Sequence, residues 1–301
     1  MSIAGSMFQS VLRWSNPHLV PADNQRIDRW VSAHPAEAAA RVETAIKAAI
    51  GYFEAQPKID LAALVLLGRL HRTGADPRLR FVERGIAACA ASPGDPHFRL
   101  LDPTYAPSPD AIVRASKQYD HPVLQLMIKC LYADRNGDGA ECLELLSRID
   151  DRGGYGTTHV AVCGLILRAF GASSDAAVAS LTQPVADTLI AAQRCDRAGD
   201  LFAERIAVLQ WLGRHASIDA AWILRLVKAQ RPEGGWASGP SLRPTRSSQH
   251  TSALALVSLV QWTERQGALN GTRRTPEALS SEVFWRSPMM SPRPERRGGD
   301  G

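Results

Sequence analysis

The feature that most constrains this chain is a recurring pattern of helix, polar turn and apolar helix. Its clearest copy lies at residues 230–259, where a helix ends in Gln230, turns through Gly234-Gly235-Trp236, and restarts at His250-Thr251 in a long apolar run. Residues 148–167 repeat the pattern with Gly153-Gly154-Tyr155-Gly156 and Thr158-His159. Residues 189–213 repeat it with Gln193, Asp200 and Glu204, and residues 112–133 with Gln118-Tyr119 and His121-Pro122. Self-similarity at this spacing predicts stacked helical hairpins.

The hairpins alternate in character. Segments at 36–55, 140–149, 174–193 and 218–230 are amphipathic. Those starting near Asp60, His121, Thr158, Leu201 and His250 are apolar almost all round. A helix that is apolar all round must be buried on every side. Five of these beside amphipathic partners predict an inner ring and a half-solvated outer ring. The expected fold is therefore all-α, an (α/α) toroid or incomplete α/α barrel of about five to six hairpins. Further helices are expected at 5–14, 24–33, 76–91 and 110–117, a long structured loop at 92–108, and a break at Pro184. The expected divisions are an N-terminal helical leader at 1–35, the toroid at 36–266 and a disordered basic tail at 267–301. In the tail, Val283-Phe284-Trp285 is expected to serve as a docking motif for a protein partner.

Composition narrows the class. Hydrophobic residues make up 45% of the chain, enough for a substantial core. The formal charge is +5, and Arg273, Arg274, Arg286, Arg293, Arg296 and Arg297 concentrate it in the tail. The body shows no basic stripe with interleaved aromatics, which disfavours nucleic acid as a partner. Five cysteines, none spaced as C-x-x-C, point to a reducing compartment and a cytoplasmic location. No apolar run reaches membrane-spanning length.

The residues Gln230, Gly234, Gly235, Trp236, His250-Thr251 and Ala253-Leu254-Ala255-Leu256 resemble the repeat of the terpene-cyclase and protein-prenyltransferase superfamily. The resemblance covers about residues 40–265 and implies the α/α-toroid fold. It also implies a central cavity for an isoprenoid-like or peptide substrate, and a role in natural-product biosynthesis. The D-x-D-D acid motif and the D-D-x-x-D magnesium motif of that superfamily are both absent. His250 stands where the prenyltransferase zinc histidine would, but no cysteine accompanies it.

Polar residues recur at the inner-helix entrances. His121, His159, Glu204 and His250 follow at intervals of 38, 45 and 46 residues, one per hairpin, with Asp60 before them. Three imidazoles and a carboxylate suit Zn²⁺, with Fe²⁺ or Mn²⁺ as alternatives. Such an ion would polarise an oxygen or activate water. His159, Glu204 and His250 are the expected catalytic set. Helix capping is the competing explanation for the same positions. Tyr119, Tyr155 and Arg246 are expected to contact substrate. Cys163, four residues after His159, and the Cys195-Asp196 pair are secondary candidates. The run from Asp134 to Gly139 has the opening of a calcium loop, but Leu145 replaces its final Glu. Two functions follow: a toroid transferase or cyclase, with or without metal, and a non-catalytic toroid that binds a ligand or recruits a partner.

Overall fold

The computed structural model describes residues 19–91, 94–194, 198–239 and 246–269. Among these residues the chain is all-helical, with twelve α-helices, three short 3₁₀ helices and no β-strand. In chain order they are α1 (Leu19–Ala33), α2 (Pro35–Glu54), α3 (Leu61–Arg72), α4 (Phe81–Ala91), α5 (Pro109–Lys117) and α6 (Pro122–Asn136). There follow α7 (Gly139–Ser147), α8 (Tyr155–Ala169), α9 (Asp175–Gln193), α10 (Asp200–Trp211), α11 (Ala220–Ala229) and α12 (Gln249–Leu269). The expected leader helix at 5–14 and nearly all of the basic tail lie outside the described residues. The last helix continues three residues past the expected boundary at 266. No helix of the described residues is long and apolar enough to cross a membrane.

Local chemistry sets the helix ends. The Asp60 carboxylate accepts from the Ala63 amide at 2.7 Å and starts α3. Ser108 and Ser174 cap α5 and α9 in the same way. Gly137, at φ 76°, closes α6 in the left-handed region that glycine tolerates best. The helix α9 runs through Pro184 without the expected break. Tertiary packing of its apolar face against α8 outweighs the one backbone hydrogen bond that proline removes.

Burial separates two sets of helices. In α10 every residue from Phe202 to Trp211 is buried, and in α12 every residue from Thr251 to Gln261. By contrast α2 buries one stripe, Ala38, Val42, Ala45, Ile46, Ala49 and Phe53, at helical spacing. The buried helices touch in sequence: α3 packs on α12, α12 on α10, α10 on α8 and α8 on α6. The 3₁₀ turn Pro96–Leu100 touches both α6 and α3. The amphipathic helices cover this set from outside, with α9 on α8 and α10, α7 on α6, and α2 and α11 on α12.

The glycine-tryptophan turn joins the two sets. The Gln230 side chain donates to the carbonyls of Ala45 and Gly234, both at 2.8 Å. Trp236 donates its indole N–H to the Leu226 carbonyl and its amide to the Ser252 hydroxyl. One motif thus ties α11 to α2 and α12. Gly234 is obligatory on two grounds: its φ is 93°, and a Cβ there would lie 2.2 Å from the Ala48 carbonyl oxygen. The copy at Gly153 works by other bonds. Its amide donates to the Thr157 hydroxyl, and its carbonyl accepts from Arg205 of α10 at 2.7 Å.

Candidate functional site

Three of the polar residues singled out by their spacing meet at one pocket. His159 of α8, Glu204 of α10 and His250 of α12 line a cavity of about 290 Å³. Its walls are apolar and include Leu61, Val65, Leu124, Met127, Val162 and Leu254. That size is at the small end of the ~300–1,000 Å³ typical of ligand sites. Among its described lining residues there is no lysine or arginine.

A clasp at the rim holds the three helices together. Asp200, the first residue of α10, accepts from the Tyr155 hydroxyl of α8 at 2.7 Å and from the Thr251 hydroxyl of α12 at 2.5 Å. Each clasp residue stands beside a pocket residue: Tyr155 one turn before His159, Asp200 one turn before Glu204, and Thr251 next to His250. Hydrogen bonds to a carboxylate are the strong, charge-assisted kind, so this clasp fixes the relative register of the three site helices.

The electrostatics follow from burial. Glu204 is almost completely buried, and loss of hydration pushes its carboxyl up from 4.5 to about 7, although His250 pulls the other way. His159 Nδ1 lies 2.8 Å from the Tyr155 carbonyl and 3.3 Å from Glu204 Oε1. A carbonyl only accepts, so Nδ1 carries the proton and Nε2 keeps its lone pair. Burial lowers the His159 pKa, with the Tyr155 carbonyl opposing. Both members of the pair are therefore driven towards their neutral forms.

The sequence reading missed a fourth polar group, His97. It sits in the 3₁₀ turn, which is pinned on all sides. Tyr132 donates to the Pro96 carbonyl at 2.8 Å and Arg69 to the Leu100 carbonyl at 3.1 Å. Arg99 grips Asp134 through two bonds at 2.7 and 2.6 Å. His97 Nδ1 bonds Asp95 at 2.8 Å, and its ring meets Tyr119 edge-on. That His97 bond holds Asp95 below the usual carboxylate range, so Asp95 is the acceptor and His97 Nδ1 the donor. Asp95, His97 and Tyr119 all line the same pocket. Its polar groups include three buried atoms with no protein partner: His97 Nε2, Glu204 Oε2 and His250 Nδ1.

Other expected site residues fall elsewhere. His121 is exposed and caps α6, its Nδ1 accepting from the Val123 amide at 3.3 Å. Pro122 takes the first helical position, which leaves His121 in the capping role rather than at the pocket. Tyr155 turns its hydroxyl to Asp200 and is 44% exposed. Arg246 is exposed and does not line the pocket. Cys163 is buried in the core with Cys130 and Cys142. Asp134, in the segment with the calcium-loop opening, is engaged by Arg99. Cys195 and Asp196 lie outside the described residues. Among the described residues, no three His, Cys, Asp or Glu side chains are gathered to hold a metal ion.

Comparison with known proteins finds no matching family model, no matching curated protein and no matching solved structure.

Proposed function

We propose that the chain is an α/α-toroid enzyme of the terpene-cyclase and prenyltransferase type, a transferase or cyclase that holds an apolar or peptide substrate in its central pocket. The helix contacts from α3 through α12, α10 and α8 to α6, with the turn at Pro96–Leu100 touching both ends, support the toroid reading. The observation that carries the function is the meeting of His97, His159, Glu204 and His250, from four separate elements, on one apolar-walled pocket. Apolar walls with a few polar groups, one at a shifted pKa, are what a substrate site requires.

In this reading Asp95 orients His97, whose Nε2 accepts a proton from the substrate. Glu204, with a pKa of about 7, gives a proton or takes one near neutral pH. His159 lies against the same carboxyl. This mechanism routes no step through the Zn²⁺, Fe²⁺ or Mn²⁺ that His159, Glu204 and His250 would hold.

The test is incubation of the full chain with neutral isoprenoids and short apolar peptides, with products followed by mass spectrometry. Turnover lost in Glu204→Gln and His97→Ala supports the proposal. Binding without turnover supports the alternative, a non-catalytic toroid that serves as a scaffold. Stoichiometric metal, lost in His159→Ala, would overturn the metal-free mechanism.

A further inference from the structure

Three side chains at the pocket, His97, His159 and Glu204, can each turn an acceptor towards a ligand. His97 Nδ1 bonds Asp95, so in the neutral ring Nδ1 is the donor and the buried Nε2 offers a lone pair. His159 Nδ1 is likewise committed to the Tyr155 carbonyl. Glu204 Oε2 is a carboxyl oxygen without a protein partner, on a side chain that is 95% buried because only 5% of it is exposed. An unmatched buried polar atom of this kind costs free energy until a ligand supplies its bond. The described lining residues include no lysine or arginine to receive an anionic head. Asp95 supplies negative charge, Glu204 adds to it once it has lost its proton above about pH 7, and Tyr119 and Trp211 place aromatic rings in the lining, where a cation is favoured.

Building on the enzyme reading above, we propose that the pocket selects an apolar molecule ending in a primary ammonium. Its N–H groups would donate to Glu204 Oε2 and His97 Nε2. The class includes long-chain amines and the amino terminus of an apolar peptide. A carboxylate or phosphate head would instead meet lone pairs and negative charge.

The test uses calorimetric titration of the full chain at pH 8 with n-decylamine, n-decanol and n-decanoate, each below its micelle threshold. Decylamine is expected to bind at least tenfold more tightly than decanoate, a difference of about 1.4 kcal/mol. In Glu204→Gln, the preference for the amine is expected to fall at least threefold. Val162→Trp and Ala62→Phe, two independent ways of filling the cavity, are expected to abolish binding while circular dichroism stays helical. Decanoate binding as tightly as decylamine overturns the inference, as does an amine preference unchanged in Glu204→Gln. If decanol binds as well as the amine and the filled variants lose both, the pocket reading survives and the ammonium class falls. If none of the three binds, the pocket reading falls with it.

Discussion

Glu204 makes the stability of this protein depend on pH in a direction opposite to that of most carboxylates. Its carboxyl moves from 4.5 in an exposed chain to about 7 in the fold, because burial strips the charged form of water. Between those two values the folded state holds a proton that the unfolded state has released. Stability therefore falls as pH rises through this window, and the loss is complete above pH 7. At about 1.36 kcal/mol per pKa unit, the full separation corresponds to about 3 kcal/mol. Between pH 5 and pH 8 the expected loss is about 2–3 kcal/mol. Glu204→Gln keeps the shape of the protonated acid and removes the titration. Urea denaturation of both proteins at pH 5 and pH 8 separates this effect from every shared titration. The variant is expected to gain about 2–3 kcal/mol on the native protein between the two pH values. An equal pH dependence in both proteins would refute the reasoning, because it would mean that Glu204 is hydrated and ordinary.

Other consequences are as direct. Asp200→Ala removes two charge-assisted bonds that join α8, α10 and α12, and is expected to cost about 2–4 kcal/mol by urea denaturation. The same change combined with Thr251→Val is expected to be clearly less than additive, as a double-mutant cycle would show. Gly234→Ala meets the Ala48 carbonyl and an unfavourable φ together, so thermal unfolding should show a loss of more than about 2 kcal/mol. Trp236→Ala empties a buried site beside Leu226 and Ser252 and is expected to cost about 3–5 kcal/mol. His121→Ala, at an exposed cap, is expected to cost at most about 1 kcal/mol in the same assay and to leave ligand binding unchanged.

Much of the helical order could be read from the residues, because the inner helices are apolar on every side and the turns carry glycine, glutamine and tryptophan. His159, Glu204 and His250 were legible for the same reason: a polar residue in an otherwise apolar helix stands out. His121 shared their spacing but not their place, since Pro122 makes it a cap. His97 was hidden because it belongs to a proline- and aspartate-rich loop outside the repeat. Its local signal is Asp95 two residues earlier, which both caps the turn and orients the ring. Only the packing of Arg99, Tyr132 and Arg69 brings that loop to the pocket, and such long-range contacts leave no periodic trace. The clasp at Asp200 was equally hidden, because Tyr155 and Thr251 lie 45 and 51 residues away from it in the chain.

The central claim is that imidazoles from separate elements share a pocket with one buried carboxyl. Histidine-selective NMR titration measures this directly. The ring signal of His159, 3.3 Å from the Glu204 carboxyl, should carry an inflection near pH 7 as Glu204 titrates, and that inflection should vanish in Glu204→Gln. A His159 signal whose pH dependence is unchanged by the substitution would contradict the account.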